Sequence, residues 1–278
     1  VSYTLPSDWL TIRRGKAPLV VSLPHTGTFL PDELLPRLAS PWLARKDCDW
    51  WIDQLYDFAR DMDATIIHTA LSRTLIDVNR DPSGVSLYPG QATTELCPTT
   101  TFDGEPLYRT GLIPDHFEIA NRKRLAFDPY HAALAQEIAR LRADNARVVL
   151  YDCHSIRSAI PRLFDGELPH FNIGTNSGNA CGAPLVSAIE AICARSHFSS
   201  VTNGRFKGGY ITRQYGRPSD SVHAVQMELA CRGYMPEELG PVNEANWPSA
   251  FDASYAAPMR GSLADILSAC LDFAKAGS

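Results

Sequence analysis

The sequence has no paired cysteines. Its seven, Cys48, Cys97, Cys153, Cys181, Cys193, Cys231 and Cys270, are odd in number, scattered, and never in a CxxC spacing. That pattern argues against a disulfide framework and against a cysteine-held zinc finger, and suits reduced thiols in a cytoplasm. Any metal would be held by histidine and carboxylate. A lysine/arginine cluster is also missing: 26 basic against 31 acidic side chains give a net charge of −5, without the footprint of a nucleic-acid binder. No apolar stretch approaches the ~18 residues of a membrane span. The apolar run nearest the start, residues 19–23, is too short for a secretory h-region, so neither export nor membrane insertion is expected. Repeats, low-complexity tracts and linker-like segments are absent as well. Over 278 residues, 45% of them hydrophobic, one α/β domain spanning 1–278 is the expectation.

What is present alternates between apolar runs and helical patterns, which favours helices flanking a largely parallel, mixed sheet. Residues 19–23, 65–69, 74–78, 147–152, 171–174 and 221–230 read as strands. Residues 47–60 have Trp51, Ile52, Leu55, Tyr56 and Ala59 on one helical face. Residues 115–142, interrupted by Pro129, read as two helices, and residues 183–195 and a final amphipathic stretch ending near Ala274 as two more. The segment 81–106 is rich in Pro, Gly and Thr and long for an unstructured connection, so it reads as a lid or rim. Residues 203–218 are glycine-rich and basic.

Ligands of open α/β sheets bind outside the carboxyl ends of the strands. Four positions meet that rule: His25, the stretch Asp77-Val78-Asn79-Arg80, His154 and Glu228. A lone histidine is ordinarily a satisfied core residue, but His25 precedes a Thr-Gly turn, and His154 lies two residues after Asp152, on the same side of an extended chain. Asp152 could therefore orient a metal-bound imidazole. Asp47, Asp49 and Asp53 near a helix start serve equally well as caps, although helical spacing sets Asp49 and Asp53 on one face. Glu228 alternates with Val225, Met227 and Leu229. Either its strand is an edge with one wet face, or a carboxylate is buried for a purpose. Arg73, Arg80 and Arg213 are surface charges by default, but Asn79-Arg80 offers an amide beside a guanidinium fork suited to a carboxylate.

Five segments in order carry a resemblance: Ser22-Leu23-Pro24-His25-Thr26-Gly27, Ser72 through Arg80, Asp152-Cys153-His154-Ser155, Gly208 through Gly216, and Val222 through Leu229. Together they resemble the N-formylglutamate amidohydrolase (deformylase) family, and more distantly the zinc carboxypeptidases and aspartoacylases. The resemblance implies a zinc-exopeptidase-like (phosphorylase/hydrolase-like) fold and hydrolysis of N-formyl-L-glutamate to formate and glutamate, the last step of a bacterial route of histidine degradation. It further implies a divalent metal, zinc, on His25, His154 and a carboxylate. In the distant relatives a Glu follows the first His by three residues, but Thr28 stands there in this chain. The second ligand is assigned to Asp49, with Asp53 in reserve. Glu228 would serve as general base, Arg73 as oxyanion donor, and Asn79, Arg80, Thr212 and Arg213 as grips on a dicarboxylate substrate. The alternatives are a deacylase for another N-acyl amino acid, a Cys153 or Ser155 nucleophile, and a non-catalytic binder of acidic metabolites.

Overall fold

In the computed structural model, which describes residues 2–87, 90–238 and 240–276, seven strands pair into one sheet of order β1-β3-β2-β4-β7-β5-β6. The strands are β1 (Leu10–Arg13), β2 (Leu19–Leu23), β3 (Thr65–Thr69), β4 (Val148–Ile156), β5 (Phe171–Gly174), β6 (Ser200–Thr202) and β7 (Val222–Ala230). Strands β3, β2, β4 and β7 run parallel to one another. Antiparallel β1 on β3 and β5 on β7 make the sheet mixed.

The helices are α1 (Leu43–Lys46), α2 (Ile52–Leu55), α3 (His116–Arg122), α4 (Asp128–Asp144), α5 (Ala183–Arg195), α6 (Tyr210–Tyr215) and α7 (Ala253–Lys275). Alternation along the central strands sends two apolar sets to opposite faces. Val21, Tyr151, Cys153, Val225 and Met227 pack with Leu185 and Ile189 of α5 and with Met259, Leu263, Ile266 and Leu267 of α7. Val20, Val148, Leu150, Val222 and Ala224 pack on the other side with Tyr130, Leu134 and Ile138 of α4. All seven cysteines are free and buried. No helix among the described residues is long and apolar enough to cross a membrane.

Several local expectations are corrected. Residues 47–60 are not one helix. Trp51 sits in the left-handed region at φ 64°, which separates α1 from α2, and a 3-10 turn follows at Asp57–Arg60. The apparent single helical face is the buried side of separate short turns. Residues 74–78 are a turn rather than a strand: Ser72 Oγ accepts from Thr74 N, and Asp77 Oδ1 accepts from Asn79 N. Its apolar Leu75, Ile76 and Val78 are buried because the loop itself packs into the core beside α4. Strand β4 runs to Ile156, so His154 lies within it rather than beyond its end. The break near Pro129 is a π-helical turn, Lys123–Phe127, between α3 and α4. The glycine-rich basic stretch contains α6.

Candidate active site

In their last residues β4 and β7 become polar on the face toward α6. Their parallel register sets Asp152 beside Gln226 and His154 beside Glu228. Strand β7 is interior, with β4 on one side and β5 on the other, so the wet-edge explanation of Glu228 does not apply. The opposite face stays apolar through Cys153 and Met227. The polar stripe therefore follows from pleat and register alone, and no loop is needed to align those four side chains.

His25 leaves the end of β2 and meets the turn between α1 and α2, where Asp49 N donates to His25 O at 2.9 Å. That backbone bond brings the two side chains together. Asp49 Oδ2 lies 3.7 Å from His25 Nδ1 and 3.1 Å from His154 Nδ1. These three buried groups form a cluster able to hold a metal ion. Zinc bound tetrahedrally at its usual ligand distances of about 2.0–2.1 Å separates neighbouring donors by about 3.3 Å, within the observed range. His25 Nδ1 and Asp49 Oδ1 are buried without a hydrogen-bond partner, a costly state unless a cation claims that space. Asp53, the reserve ligand, is excluded. After Trp51 the chain turns Ile52 and Leu55 into the core and leaves Asp53 exposed, in a separate groove with Arg13 and His68.

The far nitrogen of each histidine meets its own carboxylate. His154 Nε2 is 3.0 Å from Asp152 Oδ2, the partner expected from spacing. His25 Nε2 is 2.7 Å from Asp77 Oδ1, a pairing that the strand-like pattern of residues 74–78 concealed. Carboxylates in these positions fix the tautomer that leaves Nδ1 to coordinate. Burial pushes the His25 pKa down, helped by the Arg73 guanidinium and opposed by Asp77. Burial also opposes a charge on His154, but Asp152 and Asp49 outweigh it and hold that imidazole well above its usual range. For Asp77, the charges of His25, Arg73 and Arg80 overcome burial and keep the carboxylate ionised.

An open cavity lies over the cluster, lined by His25, His154, Arg73, Arg80, Arg205 and Glu228 among others. Burial raises the Glu228 pKa to about 7, with His154 pulling it down and Asp49 pushing it up. Gln226 Nε2 donates to its Oε2 at 3.2 Å. Arg73, almost fully buried, puts Nη2 2.6 Å from Asp77 Oδ2 and Nη1 3.8 Å from Asp49 Oδ1. Arg80 donates from Nη2 to Thr94 Oγ1 at 3.1 Å. Ala92, Thr93, Thr94 and Phe102 bring the 81–106 segment to the cavity rim; residues 88 and 89 of that segment lie outside the described residues.

Asn79 lines the cavity, but its amide is engaged. Its Oδ1 accepts from Ile211 N, and its Nδ2 lies 2.9 Å from His154 Nε2 and 3.4 Å from Asp152 Oδ2. Through its bond to Asp152 it joins the start of α6 to the carboxylate behind the histidine. Gly209 is required there, because a Cβ would come within 2.4 Å of the Asn79 amide. Gly27, beside His25, is likewise a close approach, since its Cβ would strike the Ala70 backbone at 2.2 Å. Arg213 and Thr212 do not line the cavity. Arg213 Nε donates to Gly208 O, folding the side chain back along the start of α6, and Thr212 is fully buried. The basic segment instead contributes Arg205, whose Nε and Nη2 donate to Leu163 O and Ala92 O.

A family model for N-formylglutamate amidohydrolase matches residues 17–235. The chain is 43% identical over 263 residues to an N-formylglutamate deformylase of Pseudomonas aeruginosa, covering 94% of this chain and 96% of that protein. It is 46% identical over 229 residues to one from Pseudomonas putida, covering 82% and 85% respectively. The crystal structure of N-formylglutamate amidohydrolase from Ralstonia eutropha JMP134 shares the fold at a TM-score of 0.76 and 22% identity, covering 97% of this chain and 99% of that one. By the extent of the family match and of both curated relatives, the chain belongs to the N-formylglutamate amidohydrolase family.

Proposed function

We propose that the protein hydrolyses N-formyl-L-glutamate to formate and L-glutamate, using a divalent metal of zinc type held by His25, Asp49 and His154. The observation that carries this reading is the convergence of His25 Nδ1, Asp49 Oδ2 and His154 Nδ1 beneath a cavity that also holds Glu228 and arginines. Three His/carboxylate donors with an open side are the ligand set of a catalytic rather than a structural zinc. When bound, such a cation supplies Lewis acidity and lowers the pKa of water. Glu228 takes the proton of the attacking water and delivers it to the amine nitrogen as the C–N bond breaks. The Arg73 guanidinium offsets the negative charge that develops on the formyl oxygen. Arg80 and Arg205 grip the carboxylates of the glutamate part, which must supply most of the binding energy because the formyl group is so small. The net charge of −5 is no obstacle, because a bound divalent cation together with Arg73, Arg80 and Arg205 would offset Asp49, Asp77, Asp152 and Glu228 and make the pocket locally positive. We assign the reaction to histidine degradation in the cytoplasm, where seven free buried thiols stay reduced.

The test is formate release from N-formyl-L-glutamate, with the metal content of the purified protein measured alongside. Activity should disappear on chelation and return with a divalent ion. Full turnover by metal-free protein would overturn the reading.

A further inference from the structure

The wall of the cavity nearest the metal-binding cluster is aromatic. Phe102 stands in a tight turn, with Thr101 N donating to Glu105 O and Gly104 N to Thr101 O, both at 2.9 Å. Its ring lies over the Arg73 guanidinium, 4.8 Å from centroid to Cζ, and Arg73 in turn faces Asp49. The ring also packs with Ile156 in a small apolar cluster. Ile156 projects from β4 two residues beyond His154, on the same face. Phe102 is thus bracketed by the neighbours of two metal-binding side chains, at the end of the cavity where the bond must break. Leu163 and Phe206 pack against the same cluster and continue the apolar lining toward Arg205.

This wall is held fast. Phe102 N donates to Asp47 Oδ2 at 2.7 Å. Lys46 Nζ pairs with Asp103 and Glu105 on either side of the turn, and Arg157 Nη2 adds a 2.6 Å contact to Asp103. Phe102 itself is only 7% exposed, so it has little room to swing aside. None of these anchors belongs to the reacting groups. A rigid aromatic face at the reacting carbon leaves no easy way to make space for another carbon, because close-packed interiors resist even one added methylene.

We propose that Phe102 sets the acyl-size limit of the site, admitting a formyl group and excluding an acetyl group. The proposal rests on the deformylase reading and deepens it by naming a specificity-determining residue. One methyl at a fitted apolar wall is worth a discrimination of about 10- to 200-fold. The experiment measures kcat/KM for N-formyl-L-glutamate and N-acetyl-L-glutamate with wild type, Phe102→Ala and Phe102→Val, each checked for thermal melting and bound metal. The expected result is a strong formyl preference in the wild type that narrows by at least tenfold in Phe102→Ala, and by less in Phe102→Val. If Phe102→Ala does not fold, a narrowed ratio in Phe102→Val supports the proposal by the same measure. A wild-type formyl/acetyl ratio retained by a folded, metal-loaded variant overturns the size limit while leaving the deformylase reading intact. A wild type that releases no formate overturns both.

Discussion

Replacing Asp77 with Asn tests whether one buried carboxylate organises the site. In the native protein Oδ1 accepts from His25 Nε2 at 2.7 Å and from Asn79 N at 2.9 Å, while Oδ2 meets Arg73 Nη2 at 2.6 Å and Arg80 Nε at 3.5 Å. An asparagine keeps one acceptor oxygen and turns the other into a donor. If the amide oxygen stays with His25, its NH2 faces the Arg73 guanidinium, donor against donor. If it flips, His25 loses its partner instead. The charge-assisted bond to Arg73 is worth about 1.5–3 kcal/mol, and a buried guanidinium stripped of its partner raises the total to about 3–5 kcal/mol. Asp49, 3.8 Å away, is too distant to take over fully. A weaker second partner for His25 should also lower metal affinity by about 10- to 100-fold. Urea denaturation of the metal-free protein reads the first effect, and competition with a chromophoric chelator reads the second. An Asp77→Asn protein within 1 kcal/mol of wild type (about fivefold in the folding equilibrium) and with unaltered metal affinity would refute the assignment of Asp77 as the organiser of His25.

Two further outcomes are expected. Glu228→Gln should lower kcat by about 10²- to 10⁴-fold, the usual contribution of a general acid–base, with metal content and melting temperature retained; a loss smaller than tenfold would move the proton transfer to another group. His131, whose Nε2 donates to Val78 O and whose Nδ1 meets the Tyr215 hydroxyl, has its pKa pushed by burial from 6.5 down to about 4. Below pH 6.5 the unfolded chain takes up a proton that the folded chain refuses, so this stabilisation is complete above 6.5 and lost as pH falls toward 4. Between pH 7 and pH 5 the loss is about 2 kcal/mol. His131→Gln should show a shallower decline in urea denaturation across that interval, and an identical slope would show that His131 does not titrate as its burial dictates.

The parts of the site that were legible in the sequence are those that local rules govern. His25 follows a short apolar strand and Glu228 interrupts an alternating one, and both features survive in the folded chain because pleat and strand end are local properties. The Asp152/His154 pair was visible for the same reason. What escaped was set by tertiary packing. Asp49 and Asp53 looked equivalent on a helical wheel, but the left-handed Trp51 separates them, sending one into the cluster and the other to solvent. Asp77 was hidden in an apolar run that reads as a buried strand, because a loop packed into the core buries every residue of that run, as a central strand does. Arg205 and Arg213 belong to the same basic stretch, and only the start of α6, which draws Arg213 back toward Gly208, distinguishes them. Phe102 carried no signal at all, since a phenylalanine in a loop rich in Thr and Pro has no neighbour in sequence to reveal that it covers an arginine.

The in-register pairing of His154 with Glu228 has a bearing on durability. The spacing of the proposed metal-binding residue and the proposed base is set by backbone hydrogen bonds of two adjacent interior strands, so fraying loops do not alter it greatly. Interior strands are the last portions of a domain to open. The surrounding rim can therefore exchange, be trimmed or be rebuilt for other acyl groups, while the pairing of His154 with Glu228 is lost only when the whole sheet comes apart.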